Sequence, residues 1–168
     1  MSLAEELRDL TGETVHTATP YGDPMLTVGR IDSSNAHRPS YDLGSQDQLH
    51  VSAVGKAYLA SLSESAFEAL LPQLDLQAET PFSITSEIDL RSEIEKTRER
   101  GYSLNLEETT VGVCSLGFAV RLRSNLEMVA LSITGPAHRW TPEAIGEIAP
   151  DLLKRVTARS PLTQVGPS

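Results

Sequence analysis

Cysteine is nearly missing from this chain of 168 residues, in which Cys114 is the only one. A single thiol excludes an intrachain disulfide framework and favours a reducing compartment. No apolar run approaches the roughly 18 residues of a membrane span. The start, MSLAEELRDLTG, is acidic where a signal peptide would be basic and then apolar. We therefore expect a cytoplasmic domain with no membrane partner, long enough to fold without disulfides or metal.

Basic residues are also scarce, with 14 Lys and Arg against 23 Asp and Glu and a net charge of −9. Proteins draw much of their affinity for DNA from Lys and Arg that release phosphate counterions. The one dense basic stretch, residues 96–100, is interleaved with glutamates. We expect the chain by itself to bind nucleic acid poorly.

Metal-binding and nucleophilic motifs are lacking as well. The histidines show neither i, i+4 spacing nor a cysteine cluster, so no metal site or other cofactor is predicted. Cys114 alternates with Leu116 and Phe118, which is typical of an inert core residue. We expect no enzymatic activity, and a thiol- or serine-based hydrolase stays open as an alternative.

What the chain does have is two unusual strand patterns near its end. In VGVCSLGFAV, the two-residue period places Val113 and Ser115 on one face with Gly117, and large apolar residues on the other. In MVALSIT, Ser132 and Thr134 share a face in the same way. A sheet face of small and hydroxyl-bearing residues leaves room for a small polar ligand and offers it hydrogen bonds.

A helix predicted over Leu49–Leu62 adds a second feature of this kind. Ser52 is a good N-cap, and small residues at Ala53 and Gly55 make one side of the helix narrow enough to pack close to a sheet. The free N–H groups and positive dipole end at Ser52, Ala53 and Val54 suit a carboxylate. An ordinary capped helix on a sheet is the alternative interpretation.

The remaining elements follow from periodicity and capping signals. They predict an α+β fold, a largely antiparallel sheet with helices on one side. We expect a tail at residues 160–168 to be disordered. The predicted helices are Ala4–Leu10, Ser63–Leu71, a helix opened by Thr85-Ser86 with Ser86 as the capping residue and ending at Arg100, and one from Pro142 with Thr141 as its N-cap. The predicted strands are Glu13–Thr19, Met25–Ile31, Pro39–Leu43, Tyr102–Leu106, Val113–Arg121 and Glu127–Thr134, and a turn is predicted at Arg123–Asn125.

Three segments together resemble the C-terminal domain of IclR-type bacterial transcription regulators: LHVSAVGKAYLASL, TSEIDLRSEIEKTRERGYSLNLEETTVGVCSLGFAVR and VALSITGPAHRWT. The resemblance begins at LRDLTGETV and continues to about Thr157. It implies a GAF/profilin-like fold, a small organic acid as effector, and contacts that build a homodimer or tetramer. It also implies that DNA is bound only through an N-terminal winged helix-turn-helix. Residues 1–12, the end of a linker helix, are too short to hold that module, and the effector-binding domain would be residues 13–159.

The family's effector contacts fall, position by position, on Ala53, Val54, Asn105, Val113, Ser115, Ser132 and Thr134. The chain departs from the family at two of them, with Asn105 in place of an acid and Ser115 in place of a thiol. Both changes favour a polar or anionic ligand. A stand-alone GAF-like module that binds a small molecule, or one that serves only in assembly, is the alternative.

Overall fold

The computed structural model describes residues 1–122 and 127–160. In these residues, five helices and six strands follow one another. A short 3-10 turn at Leu71–Gln73 extends the third helix. The elements are α1 (Leu3–Thr11), β1 (Thr14–Pro20), β2 (Met25–Ile31), β3 (Gln46–Asp47), α2 (Ala53–Ser61), α3 (Glu64–Leu70), α4 (Glu87–Arg100), β4 (Ser103–Leu106), β5 (Val113–Arg121), β6 (Met128–Pro136) and α5 (Pro142–Arg159).

The strands form one curled antiparallel sheet in the order β3-β2-β1-β6-β5-β4. In the β5–β6 pair, Ser115 lies opposite Thr134 and Gly117 lies opposite Ser132. On the other side of β6, His16 of β1 lies opposite Ser132. Because directly opposed residues point to the same face of a sheet, polar side chains of three adjacent strands are gathered on one face, here called the front face.

Helices cover both faces of the sheet, so the prediction of helices on one side was wrong. On the back face, α1 and α5 bury the large apolar residues of β5 and β6, among them Leu116, Phe118 and Ile133. On the front face, α2, α3 and α4 pack near smaller residues such as Ala18 and Ala130. In β5 and β6, the side chains on the back face are large and those on the front face are small, and helices cover both sets.

The helix boundaries confirm the predicted capping residues. Ser52 accepts a hydrogen bond from the N–H of Gly55, and Ser86 and Thr141 cap α4 and α5 in the same way. α4 ends at Gly101, whose φ of 86° is in the left-handed region that favours glycine.

The predicted strand at Pro39–Leu43 was wrong, because this segment is part of the loop between β2 and β3. The backbone N–H of Tyr41 donates to the side chain of His16 and so cannot serve a strand ladder. The strand in this region is instead the two-residue β3, which pairs with Met25 and Leu26 of β2.

Toward the end of the described residues, Ser160, the first residue of the predicted tail, is buried, and its hydroxyl accepts a hydrogen bond from the N–H of Arg121. The rest of that tail, residues 161–168, and a turn predicted at residues 123–125 lie outside the described residues. Among the helices of residues 1–122 and 127–160, none is long and apolar enough to cross a membrane.

Candidate ligand-binding site

The N-terminus of α2 is held against the front face of the sheet. The hydroxyl of Ser103 in β4 donates to the carbonyl of Ala53 at 2.5 Å. Gly117 of β5 lies so close that a Cβ there would be 2.6 Å from the same carbonyl oxygen. The first turn of a helix has no internal acceptor for its N–H groups. The N–H groups of Ala53 and Val54 are therefore presented at this end of the helix.

A cavity lies between this helix end and the strands. Six of its lining residues were singled out from the sequence, either by the resemblance or by capping: Ser52, Ala53, Val54, Asn105, Ser115 and Ser132. Five were not: His16, Thr27, Tyr41, Asp47 and Thr109. The alternation of β1 and β2 could have placed His16 and Thr27 on this face. The positions of Tyr41, Asp47 and Thr109 depend on how segments distant in the sequence fold back onto the sheet.

Two of the predicted contact residues do not line the cavity. Thr134 is fully buried, with its hydroxyl 2.9 Å from that of Ser115, so it can orient Ser115 but is not itself exposed to a ligand. Val113 begins β5 opposite Pro136, away from the helix end.

Asn105 lines the cavity, but its amide is already engaged. Its oxygen accepts from the N–H of Glu108 and its nitrogen donates to the hydroxyl of Thr109, both at 2.8 Å. Asn105 therefore braces the loop between β4 and β5 at the cavity wall.

The loop of residues 32–45 closes the cavity, and we call it the lid. The backbone N–H of Tyr41 donates to Nε2 of His16 at 3.0 Å, and the Tyr41 hydroxyl is 3.3 Å from that of Thr109. With the lid in place, the cavity volume is about 10 Å³, room for roughly one water molecule. The cavity is thus smaller than the small side chains of β5 and β6 suggested, and it would have to widen to hold an organic acid.

The chain matches known proteins in sequence and in fold. A family model described as the C-terminal domain of the bacterial transcriptional regulator IclR matches residues 2–160. This chain belongs to the IclR family. The HTH-type transcriptional repressor AllR of Escherichia coli (strain K12) is 32% identical to it over 157 residues, which are 94% of this chain and 57% of AllR. The chain thus spans little more than half the length of that relative.

Solved structures of IclR-type regulators share the fold. The Thermotoga maritima IclR structure superposes with a TM-score of 0.83 at 28% identity, over 92% of this chain and 63% of that one. The inducer-binding domain of PobR from Acinetobacter, a double mutant in complex with 3-hydroxybenzoic acid, superposes with a TM-score of 0.80 at 22% identity, over 93% and 91% of the two chains. The predicted α+β fold with a curved antiparallel sheet is confirmed.

In this IclR-family domain, His16 is held neutral. Burial lowers its pKa from 6.5 to about 4; Arg30 lowers it further, and Asp32 opposes the shift. Because Nε2 accepts a hydrogen bond from Tyr41, the ring proton must be on Nδ1. That Nδ1 is buried and has no hydrogen-bond partner in the described part of the chain.

Asp47, which also lines the cavity, shows the opposite effect. Burial raises the pKa of its carboxyl from 3.8 to about 6, a hydrogen bond from Thr27 lowers it, and Glu79 adds to the rise. At neutral pH Asp47 is therefore ionised at a cost in free energy, in a wall that otherwise offers mainly hydrogen-bond donors.

These two groups should give opposite pH responses. Between pH 4 and 6 the folded chain protonates Asp47 more readily than the unfolded chain does, so wild type loses stability as the pH rises through this window. We expect the free energy of unfolding of Asp47→Asn to rise relative to that of wild type by about 2–3 kcal/mol from pH 4 to pH 6.

For His16 the direction is reversed, because the unfolded chain protonates this residue first as the pH falls from 6.5 to 4. The free energy of unfolding of His16→Gln should therefore rise relative to that of wild type by about 3 kcal/mol over this range.

Urea denaturation at several pH values between 3.5 and 7.5 checks both changes. Asp23→Asn, an exposed turn position, is the matched control and should run parallel to wild type. If the free energy of unfolding of Asp47→Asn or His16→Gln followed the same pH dependence as that of wild type, the shifted pKa assigned to that residue would be wrong.

A buried ion pair joins two walls of the cavity. Nζ of Lys56 in α2 donates to Oε2 of Glu108 in the β4–β5 loop at 2.7 Å, with 1% and 9% of the two side chains exposed. The same oxygen accepts the N–H of Leu106 at 3.2 Å. Burial raises the pKa of Glu108, and Lys56 opposes that rise. Lys56 and Glu108, which come from two of the segments that carried the resemblance, are thus in contact.

Cys114 lies on the back face, buried in the cluster under α1 and α5. Burial raises the pKa of its thiol, which disfavours the nucleophilic thiolate. The thiol and the His16 ring lie on opposite faces of the sheet, and the relative AllR is named as a transcriptional repressor.

Proposed function

We propose that this domain is the effector sensor of a bacterial transcription regulator and that it binds a small organic acid under the lid. The carboxylate accepts hydrogen bonds from the N–H groups of Ala53 and Val54, and the hydroxyls of Ser115 and Ser132 complete the site. Thr134 orients the hydroxyl of Ser115. The observation that carries the proposal is the start of α2 placed over hydroxyl-bearing strands at a cavity. Each charge-assisted bond of this kind contributes about 1.5–3 kcal/mol.

The compared proteins support the same assignment. AllR is named as a helix-turn-helix repressor, and this chain aligns with only 57% of it. The PobR domain of the same fold is described in complex with an aromatic hydroxy acid. In our proposal, DNA is bound in the cytoplasm by a separate N-terminal module, and this domain contributes effector binding and the contacts of a homodimer or tetramer.

Movement of the lid is the conformational change by which such a sensor would respond to its ligand. A cavity with room for about one water cannot hold an organic acid in the conformation that the structure shows, in which Tyr41 contacts His16 and Thr109. Binding therefore favours a conformation in which the lid has moved, and a ligand shifts an equilibrium only through such differential affinity. Regulation follows if the open lid changes the contacts between subunits.

Replacing Ser132 with Leu tests the site. The added bulk takes the space that the ligand needs and removes a hydroxyl, so we expect binding of small organic acids to be lost. Because the cavity has room for about one water, the leucine also lowers the free energy of unfolding by about 1–3 kcal/mol, without unfolding the domain. Calorimetry against acetate, pyruvate, lactate and benzoate measures the affinity, and circular dichroism checks the fold. Ser65→Leu, the same exchange at an exposed position of α3, should bind as wild type does.

Unchanged affinity in Ser132→Leu would refute the cavity as the site. If wild type binds no acid from a broad panel even at millimolar concentration, a module that serves only in assembly is favoured instead.

A further inference from the structure

The cavity has a second polar wall, away from α2 and toward the β3 edge of the sheet. His16 of β1, Thr27 of β2 and Asp47 of β3 form it. None of the three is needed to hold the carboxylate of the proposed effector, because that group is bound at the start of α2. This wall therefore faces another part of the ligand.

His16 supplies an unused hydrogen-bond donor. Its side chain is 2% exposed, and its Nε2 is occupied by the N–H of Tyr41. The buried Nδ1–H has no partner among the described residues. A buried donor without an acceptor costs free energy, and a ligand that offers an acceptor here recovers it.

Asp47 supplies an acceptor in the same cavity. One of its carboxylate oxygens accepts a hydrogen bond from the hydroxyl of Thr27 at 3.4 Å, a long contact that leaves acceptor capacity at the carboxylate. A ligand group at this wall meets a donor from His16 and an acceptor from Asp47. A second carboxylate would be repelled by Asp47, and a keto oxygen could accept from His16 but donate nothing to Asp47.

We propose that the effector is a hydroxy acid, whose hydroxyl oxygen accepts from Nδ1–H of His16 and whose hydroxyl proton is donated to Asp47. This inference rests on the proposed function and narrows its ligand class. The carboxylate then lies at the start of α2 and the hydroxyl at the wall formed by His16, Thr27 and Asp47, with the lid moved to make room for the ligand.

Matched pairs of acids test the proposal in the protein as it stands. The probes are glycolate with acetate, lactate with propionate, 3-hydroxybutyrate with butyrate, and 3-hydroxybenzoate with benzoate, measured by calorimetry at pH 7.5. We expect wild type to bind the hydroxy member of at least one pair tenfold or more tightly than its partner, because the partner leaves the buried donor unpaired.

Two variants of His16 separate the hydroxyl contact from the lid contact. His16→Gln can still offer an acceptor to the N–H of Tyr41 but has no donor at the Nδ1 position, so the preference for the hydroxy acid should fall to about twofold or less. His16→Asn keeps a donor near the Nδ1 position and loses the lid contact. It should keep the preference while the affinities of both members change together.

A spectroscopic measurement on wild type covers the case in which a variant does not fold. The Nδ1–H signal of His16 in a long-range proton–nitrogen NMR spectrum should shift on addition of the bound hydroxy acid and stay in place with its partner acid.

Equal affinity for both members of every pair would overturn this inference and leave the proposed function standing, because acids would still bind. A preference that survives in His16→Gln would overturn it as well. If neither member of any pair binds, the proposed function fails and the hydroxy-acid inference fails with it.

Discussion

Lys56→Met should lower the free energy of unfolding of this domain by about 3–5 kcal/mol. The ammonium of Lys56 is 1% exposed and contacts the carboxylate of Glu108 at 2.7 Å. Removing one member of a buried pair leaves the other charge without compensation. Oε1 of Glu108 already has no partner in the described part of the chain, so the remaining carboxylate would be poorly satisfied. Urea denaturation at pH 7 measures the loss.

The matched control is Lys96→Met, the same exchange at an exposed position of α4, which should leave stability unchanged. The double variant Lys56→Met, Glu108→Leu should recover at least half of the loss, because no buried charge is then left alone. The N–H of Leu106 would still lose its acceptor, so recovery should be incomplete. A loss below about 1 kcal/mol in Lys56→Met would mean that the pair is solvated and does not join the cavity walls.

Gly117→Ala should damage both stability and effector binding. A Cβ at this position would be closest to the hydroxyl of Ser103, and it would lie 2.6 Å from the carbonyl oxygen of Ala53 and 2.8 Å from its carbonyl carbon. The Ser103 side chain could rotate away, but the Ala53 atoms are backbone, so that part of the clash is relieved only if the start of α2 lifts from the sheet. Overpacking of this kind costs about 1–3 kcal/mol. Because Ala53 and Val54 would move with the helix, we expect at least a tenfold loss of affinity for the acid.

Gly146→Ala is the control for the Gly117 experiment. Gly146 lies inside α5, and a Cβ there meets no atom within 4 Å. Alanine in a helix interior is better than glycine by about 0.5–1 kcal/mol, so this variant should be as stable as wild type or more so. A Gly117→Ala protein with wild-type stability and affinity would show that α2 does not need its close approach to β5.

The features that could be predicted from the sequence are the local ones. Ser52, Ser86 and Thr141 cap helices through a hydrogen bond to an N–H three residues along the chain, so the signal lies within four residues. Alternation likewise placed Ser115 and Ser132 on one face of their strands, and both line the cavity.

The features that could not be predicted depend on contacts between distant residues. The N–H of Tyr41 donates to the side chain of His16, which is 25 residues away in the sequence. Residues 39–43 therefore belong to the lid and do not form the predicted strand. With the lid in this position, the cavity has room for about one water. Thr134 shares a face with Ser132, as predicted. Alternation gives the face of a residue but not its burial, so it could not show that Thr134 is fully buried against the hydroxyl of Ser115. Asn105 was identified by resemblance, and only the folded β4–β5 loop shows that its amide is already bonded.

The burial of Cys114 has a practical consequence. At 2% exposure, this lone thiol is shielded from water-soluble maleimides while the domain is folded. A cysteine introduced at Leu43, an exposed lid residue, would then be the one reactive site among the described residues. A fluorophore attached there would follow the motion of residues 32–45 in real time, without first removing a native sulfur from the core.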